Sequence, residues 1–158
     1  MDEAVKKTTL RMIPYGLFVV TARSGDEVAA GTVNWLTQAS FQPPLVALGL
    51  KADSGTLAQV KASGQFAVNV LGSGQKDLAF AFFKPTRAEG GRLNGYAFET
   101  GSTGAPLLLD APARFECRLT DVVDRGDHHI VAGEVVDAGV RRESAPLTLS
   151  EVGVFYGG

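Results

Sequence analysis

A chain of 158 residues is long enough for one domain with a real core and too short for two comfortable ones. Its 45% hydrophobic and 20% charged content is that of a soluble globular protein, and a net charge of −2 excludes the broad cationic field of a nucleic-acid binder. No apolar run approaches a membrane span, residues 1–11 carry no apolar h-region, and the single Cys117 excludes a disulfide framework and a cysteine-built metal site, so a cytoplasmic protein is expected.

Residues 12–22 (MIPYGLFVVTA) predict a strand after Pro14. Arg23-Ser24-Gly25-Asp26 is a turn, and Glu27 to Val33 begins the second arm of a hairpin. Val28 to Ser40 is one extended run of β-branched and small residues, with Asn34, Thr37, Gln38 and Ser40 spread through it. Pro43-Pro44 stops any helix, and Leu45 to Leu50 (LVALGL) is the short apolar run of a buried strand. A helix over 54–63 follows, with Asp53 or Ser54 as cap, Leu57 and Val60 as apolar face and Gly64 as stop. Residues 65–71 (QFAVNVL) return as a strand, which makes the helix a crossover.

Gly72-Ser73-Gly74-Gln75 leads into a second helix over 75–83, where Leu78 with Phe82 and Ala79 with Phe83 form i,i+4 pairs. Strand, G-x-G and helix do not make a dinucleotide fingerprint here, because Asp77 stands in the place of the third glycine and no second βαβ unit follows. Residues 84–106 are polar and glycine-rich and read as a long loop with short elements around Tyr96-Ala97-Phe98. Lys84 and Arg87 open it. Residues 112–123 alternate Ala113, Phe115, Cys117 and Leu119 against polar neighbours, so Cys117 is a buried small hydrophobe rather than a nucleophile. Asp124-Arg125-Gly126-Asp127 turns the chain into a strand from His128 to Val136, and the Arg-Gly-Asp within it is turn chemistry. Residues 146–158 form a final strand or a docked tail. Nineteen glycines, alternating hairpins and one helical crossover give a mostly β fold with two short helices, as in a small closed barrel, and a single domain over 1–158.

Two places carry chemistry. At the junction after LVALGL, a helix N-terminus brings unpaired N–H groups and the positive end of its dipole beside Lys51, Ser54 and Thr56. That set suits a phosphate. The plainer alternative is a cap, a first-turn residue and a solvated lysine. The other place is His128-His129. Neighbours on a strand face opposite sides, so both do not serve one site, and two histidines are too few for a metal centre. No Ser-His-Asp order, H-E-x-x-H or P-loop is present.

Ser40, Pro43, Pro44, Leu45, then Ser54 and Thr56, then Gly64, Phe66, Val68, Asn69 and Leu71, and finally Gly126-Asp127-His128, stand in the order S-x-x-P-P-L, S-x-T, G-x-F-x-V-N-x-L, G-D-H. The ordered set, spread over roughly residues 11–140, resembles the flavin reductase-like family of FMN-binding split barrels. The resemblance implies a small split β-barrel and an NAD(P)H-dependent flavin reductase in which the cofactor performs hydride transfer. It implies that Thr32, Val33, Asn34 and Trp35, with Gln38 and Ala39, lie along the isoalloxazine and ribityl chain, largely through backbone groups. Lys51, Ser54 and Thr56 would hold the phosphate, with Phe83 and Lys84 closing that end, and His128 would be the catalytic residue near nicotinamide and flavin. FMN, with FAD open, is the implied cofactor and NADH or NADPH the donor. A homodimer with the flavin near the subunit boundary is implied, and a protein electron-transfer partner is open. Asn34-Trp35 departs from the family, where small hydroxyl residues or cysteine are common, so Trp35 is a ring neighbour or a core aromatic. Two other functions stand beside the enzyme: an FMN-holding electron carrier without a nicotinamide site, and a split-barrel binder of haem.

Overall fold

The computed structural model describes residues 1–158. The first hairpin joins β1 (Phe18–Ser24) to β2 (Glu27–Val33) through Gly25, whose φ of +59° suits a residue without a Cβ. The extended run expected over 28–40 is broken at Asn34-Trp35, and β3 (Leu36–Phe41) begins beyond the break. β4 (Pro44–Lys51), β5 (Gln65–Val70), β10 (Ala113–Val123) and β11 (His128–Val140) complete a seven-stranded antiparallel sheet in the order β2-β1-β5-β10-β11-β4-β3. This order has a geometric consequence. β2 and β3 are at opposite edges of the sheet, yet only two residues join them, a reach of roughly 10 Å. The sheet must therefore roll up until its edges nearly meet. They do not pair, and the barrel stays split along that seam.

The crossover helix α2 (Gly55–Ser63) sits between β4 and β5 as expected. Ser54 is its cap, accepting from the Leu57 N–H at 3.2 Å, and Gly64 ends it in the left-handed region at φ +68°. Helix α3 (Lys76–Ala81) is shorter than the 75–83 expected.

The expectation of two helices is corrected to four. Helix α1 (Glu3–Leu10) starts where the Asp2 carboxylate accepts from the N–H groups of Ala4 and Val5, and it buries no side chain. Helix α4 (Leu149–Val152) is a single turn capped by Thr148. The long loop over 84–106 is also corrected. It holds β6 (Ala88–Glu89), β7 (Arg92–Leu93) and β8 (Tyr96–Thr100), which with β9 (Pro106–Leu108) form a second sheet. The first strand begins at Phe18 rather than just after Pro14, and the C-terminal segment is a docked tail, held by isolated bridges Gly16–Thr148 and Gly72–Pro146.

Both faces of the sheet are covered, so successive residues of β1 enter different cores. Val20, with Leu48, Leu57, Val60, Phe66, Val68, Cys117 and Val131, fills the barrel and packs against α2. Val19 turns the other way, to Leu71, Leu78, Phe82 and Leu108. Asn69 is fully buried between them, where its amide donates to the Val19 C=O (3.1 Å) and accepts from the Leu108 N–H (2.7 Å), tying the two sheets together.

Candidate functional site

The site lies along the split. Thr32, Val33, Asn34 and Trp35, which end β2 and form the two-residue link, line a cavity of about 140 Å³ with Gly49, Lys51, Phe83 and His128. Thr32 is anchored from the side: its hydroxyl donates to the Ala79 C=O (2.6 Å) and its N–H to the Phe82 C=O (3.2 Å), which fixes the end of α3 against β2. The N–H groups of Asn34 and Trp35 make no hydrogen bond within the chain. Trp35 packs against β4, where a Cβ on Gly49 would meet its ring at 2.9 Å, so glycine suits that contact.

His128 opens β11 opposite Lys51 of β4. Its ring meets Trp35 edge-on, centroids 4.7 Å apart. Asp127 Oδ1 lies 2.9 Å from Nδ1 and the Tyr156 hydroxyl 2.8 Å from Nε2. A carboxylate only accepts, so Nδ1 carries a proton and donates it to Asp127, while the Tyr156 phenol is the hydrogen-bond partner of Nε2. The bond to His128 holds the Asp127 carboxyl below the usual carboxylate range. His129 turns to Lys61 of α2, with Nδ1 3.4 Å from Nζ, so the two imidazoles have different neighbours.

Through Lys51 and Phe83, which border both, the cavity opens into a groove of about 720 Å³ over the N-terminus of α2. Ser54 is committed to its cap. The Gly55 and Thr56 N–H groups have no acceptor within the chain. The Thr56 hydroxyl is without a partner although the residue is only 6% exposed. Gly31 of β2 faces it so closely that a Cβ there would stand 3.0 Å from Oγ1. Lys51 Nζ pairs with Asp53 Oδ1 at 3.0 Å, which raises the lysine pKa and lowers that of the carboxyl. Phe83 is half exposed at the junction, and Lys84 borders the groove with no ion pair.

Of the residues singled out in the sequence, the fold brings Thr32, Val33, Asn34, Trp35, Lys51, Ser54, Thr56, Phe83, Lys84 and His128 to one continuous cleft. Gln38 and Ala39 lie outside it, exposed on edge strand β3, where a register shift leaves Ala39 without a partner on β4. One participant had no signal in the sequence. Tyr156 reaches back from the tail and closes the cavity beside Val154. Its C=O accepts from Asn34 Nδ2 at 3.1 Å, and its ring lies 5.5 Å from that of Trp35. An aromatic in a Gly-rich tail has no periodicity to mark it.

The profile of the flavin reductase like domain family matches residues 10–157. The probable flavin reductase of Rhizobium meliloti is 35% identical over 121 residues, covering 76% of this chain and 38% of that protein, so the chain spans well under half of that relative. The NADPH-flavin oxidoreductase of Streptomyces viridifaciens is 35% identical over 140 residues, covering 87% of this chain and 72% of its own. Among solved structures, the flavin reductase component of a bacterial two-component tryptophan halogenase superposes with a TM-score of 0.80 at 29% identity, covering 98% of this chain and 96% of that one. The split seam, the unpartnered Thr56 hydroxyl and these matches agree: this chain belongs to the flavin reductase-like domain family.

Proposed function

We propose that this chain is an NAD(P)H-dependent flavin oxidoreductase. The observation that carries the reading is Thr56: a hydroxyl with no partner within the chain, on a largely buried residue that lines the groove, beside two free N–H groups, at one end of a cleft whose other end is walled by Trp35 and His128. The residues fit a flavin mononucleotide. Thr56, the Gly55 and Thr56 N–H groups, and the cations Lys51 and Lys84 hold the phosphate. Ser54 supports them by fixing the helix end. The free N–H groups of Asn34 and Trp35 are donors to the polar edge of the ring system, with Thr32, Val33 and Phe83 along its length. When bound, the flavin supplies the hydride-accepting centre. His128, held at both nitrogens, gives the donor nucleotide a fixed polar wall.

A homodimer completes the reading. It is supported by the resemblance and by large apolar side chains left in water near the seam, of which Phe41 at the end of β3 is 90% exposed. Sedimentation across the micromolar range checks it, and a monomer throughout overturns it. Gln38 and Ala39 then serve the flavin only from the partner-facing edge. The activity is tested by mixing the flavin-loaded protein with NADH and NADPH and following nicotinamide absorbance. Oxidation of at least one nucleotide with turnover is expected. A folded, yellow protein that oxidises neither is an electron carrier instead.

A further inference from the structure

The ring end of the cleft is covered by neither a strand nor a helix. Residues 154–158, beyond α4, lie across it and make no backbone–backbone hydrogen bond. Val154 and Tyr156 line the ring cavity, which measures about 140 Å³ with them in place. A pocket for a drug-sized molecule measures roughly 300 Å³ or more. A three-ring system therefore does not enter this end of the cleft while the segment stays docked.

Three polar grips hold the segment, each from a different part of the fold. Asn34, in the link between β2 and β3, donates its amide to the Tyr156 C=O (3.1 Å). His128 Nε2, on β11, is bonded to the Tyr156 hydroxyl (2.8 Å). Arg11, at the C-terminal end of α1, donates from Nε to the Gly157 C=O (3.2 Å), and its guanidinium carbon lies 5.2 Å from the centre of the Phe155 ring. Trp35 completes the seat. Gly157, at φ +124°, passes so near that a Cβ there would stand 3.5 Å from the indole. Asn34, Trp35 and His128 are walls of the cleft, and of these grips Arg11 alone stands outside it.

Helix α1 buries no side chain, so the core does not account for it. It does bring Arg11 to the segment, and Gly158 in turn packs on Lys7 of the same helix, where a Cβ would stand 2.8 Å from the Lys7 C=O. Phe155 is 72% exposed and Tyr156 48%. A segment with exposed rings and no backbone ladder has low local stability, so a few side-chain contacts decide whether it is docked. We propose that residues 154–158 are a gate over the ring end of the cleft, that Arg11 latches it shut, and that flavin enters and leaves only when the gate swings clear. The proposal rests on the reading of the cleft as the flavin site.

The test is stopped-flow mixing of the full chain with FMN and, separately, riboflavin, repeated for Arg11→Ala and Arg11→Lys. Arg11 is exposed and outside the cleft, so an unchanged melting curve is expected for both variants. Arg11→Ala should raise the association and dissociation rates together, for both ligands, by roughly fivefold or more, the scale of one hydrogen bond with one exposed cation–π contact. The dissociation constant should stay within about twofold, because the segment is docked both before and after entry. Arg11→Lys keeps a cation beside Phe155 and should fall between. Trp35 is the single tryptophan, so its emission in the flavin-free chain should change when Arg11→Ala loosens the segment. Unchanged rates with an altered emission show a segment that loosens without governing entry, and overturn the gate. Unchanged rates and emission remove the latch as well. Faster dissociation with unchanged association also overturns the gate and makes the segment a plain contact of the flavin. These outcomes leave the cleft reading standing, whereas a folded full chain that binds neither ligand overturns that reading and the gate with it.

Discussion

The Tyr156 hydroxyl stands 2.8 Å from His128 Nε2, joining the tail beyond α4 to the first residue of β11. With Asp127 on the opposite nitrogen, the imidazole is held at both ends. If the two side chains act as a unit, their substitutions are not additive. Tyr156→Phe keeps the ring beside Trp35 and removes one hydrogen bond, about 1 kcal/mol or roughly fivefold in kcat/KM for the nicotinamide donor. His128→Ala should cost more. The double variant should match His128→Ala within about twofold, because the phenol has nothing left to hold. Multiplying effects in steady-state kinetics would show that Tyr156 and His128 act independently.

Glu116 on β10 is a buried clamp rather than a catalytic acid. Its carboxylate accepts from Ser102 N–H (3.1 Å) and hydroxyl (3.2 Å) and from Thr103 N–H (2.7 Å) and hydroxyl (2.5 Å), and Arg114 lies 3.8 Å away. Glu116→Ala strands those donors at a fully buried position and should destabilise the fold by roughly 3 kcal/mol, about 6–12 °C in Tm. Glu116→Gln should lose less. An unchanged melting curve for the alanine variant would remove the clamp.

Cys117 is a core residue. Burial, and then the neighbouring Glu116, push its thiol up to about 12 from 9.0. At pH 8 the native thiolate fraction is about a thousandfold below that of a free thiol, so alkylation should wait for unfolding. With one cysteine in the chain, mass spectrometry reads this directly. The linkage has a definite sign. Between about pH 9 and 12 the unfolded chain has released a proton that the native state keeps, so stability falls as pH rises through that window. Rapid alkylation of the native protein at pH 8 would contradict the burial.

Much of this arrangement is legible in the chain. The cap at Ser54 and stop at Gly64 mark α2, and the alternation through Phe66 and Val68 marks β5, because each uses local backbone chemistry. The break at Asn34-Trp35 is not legible, since it is the closure of the barrel, not local propensity, that ends β2 there. Helix α1 escapes for another reason: it buries nothing, so it has no apolar stripe, although Asp2 before Glu3 is a capping signal. The β6–β7 hairpin did carry a sign, Gly90-Gly91, both at positive φ, but two-residue strands are too short for alternation to show. In the site, the sequence places Thr56 and His128 by motif. It has no means of placing Tyr156, whose role depends on the tail folding back across the seam.

The structure separates Ser54 from Thr56, which the sequence offered as equals. Ser54 Oγ is used by the Leu57 N–H, whereas the Thr56 hydroxyl has no partner. Ser54→Ala should fray α2 at a cost of about 1 kcal/mol, weakening FMN and riboflavin together by up to roughly fivefold. Thr56→Ala leaves the cap intact and removes a charge-assisted bond worth about 1.5–3 kcal/mol, a tenfold to hundredfold loss for FMN. Riboflavin lacks the phosphate and should not notice it. Lys51→Ala should have a smaller effect that fades with added salt, because Lys51 is solvent-exposed and already shares its charge with Asp53. The decisive comparison is the ratio of FMN to riboflavin affinity in fluorescence titrations: it should collapse in Thr56→Ala and hold in Ser54→Ala. A ratio that holds in both variants would leave the helix end as a cap and nothing more.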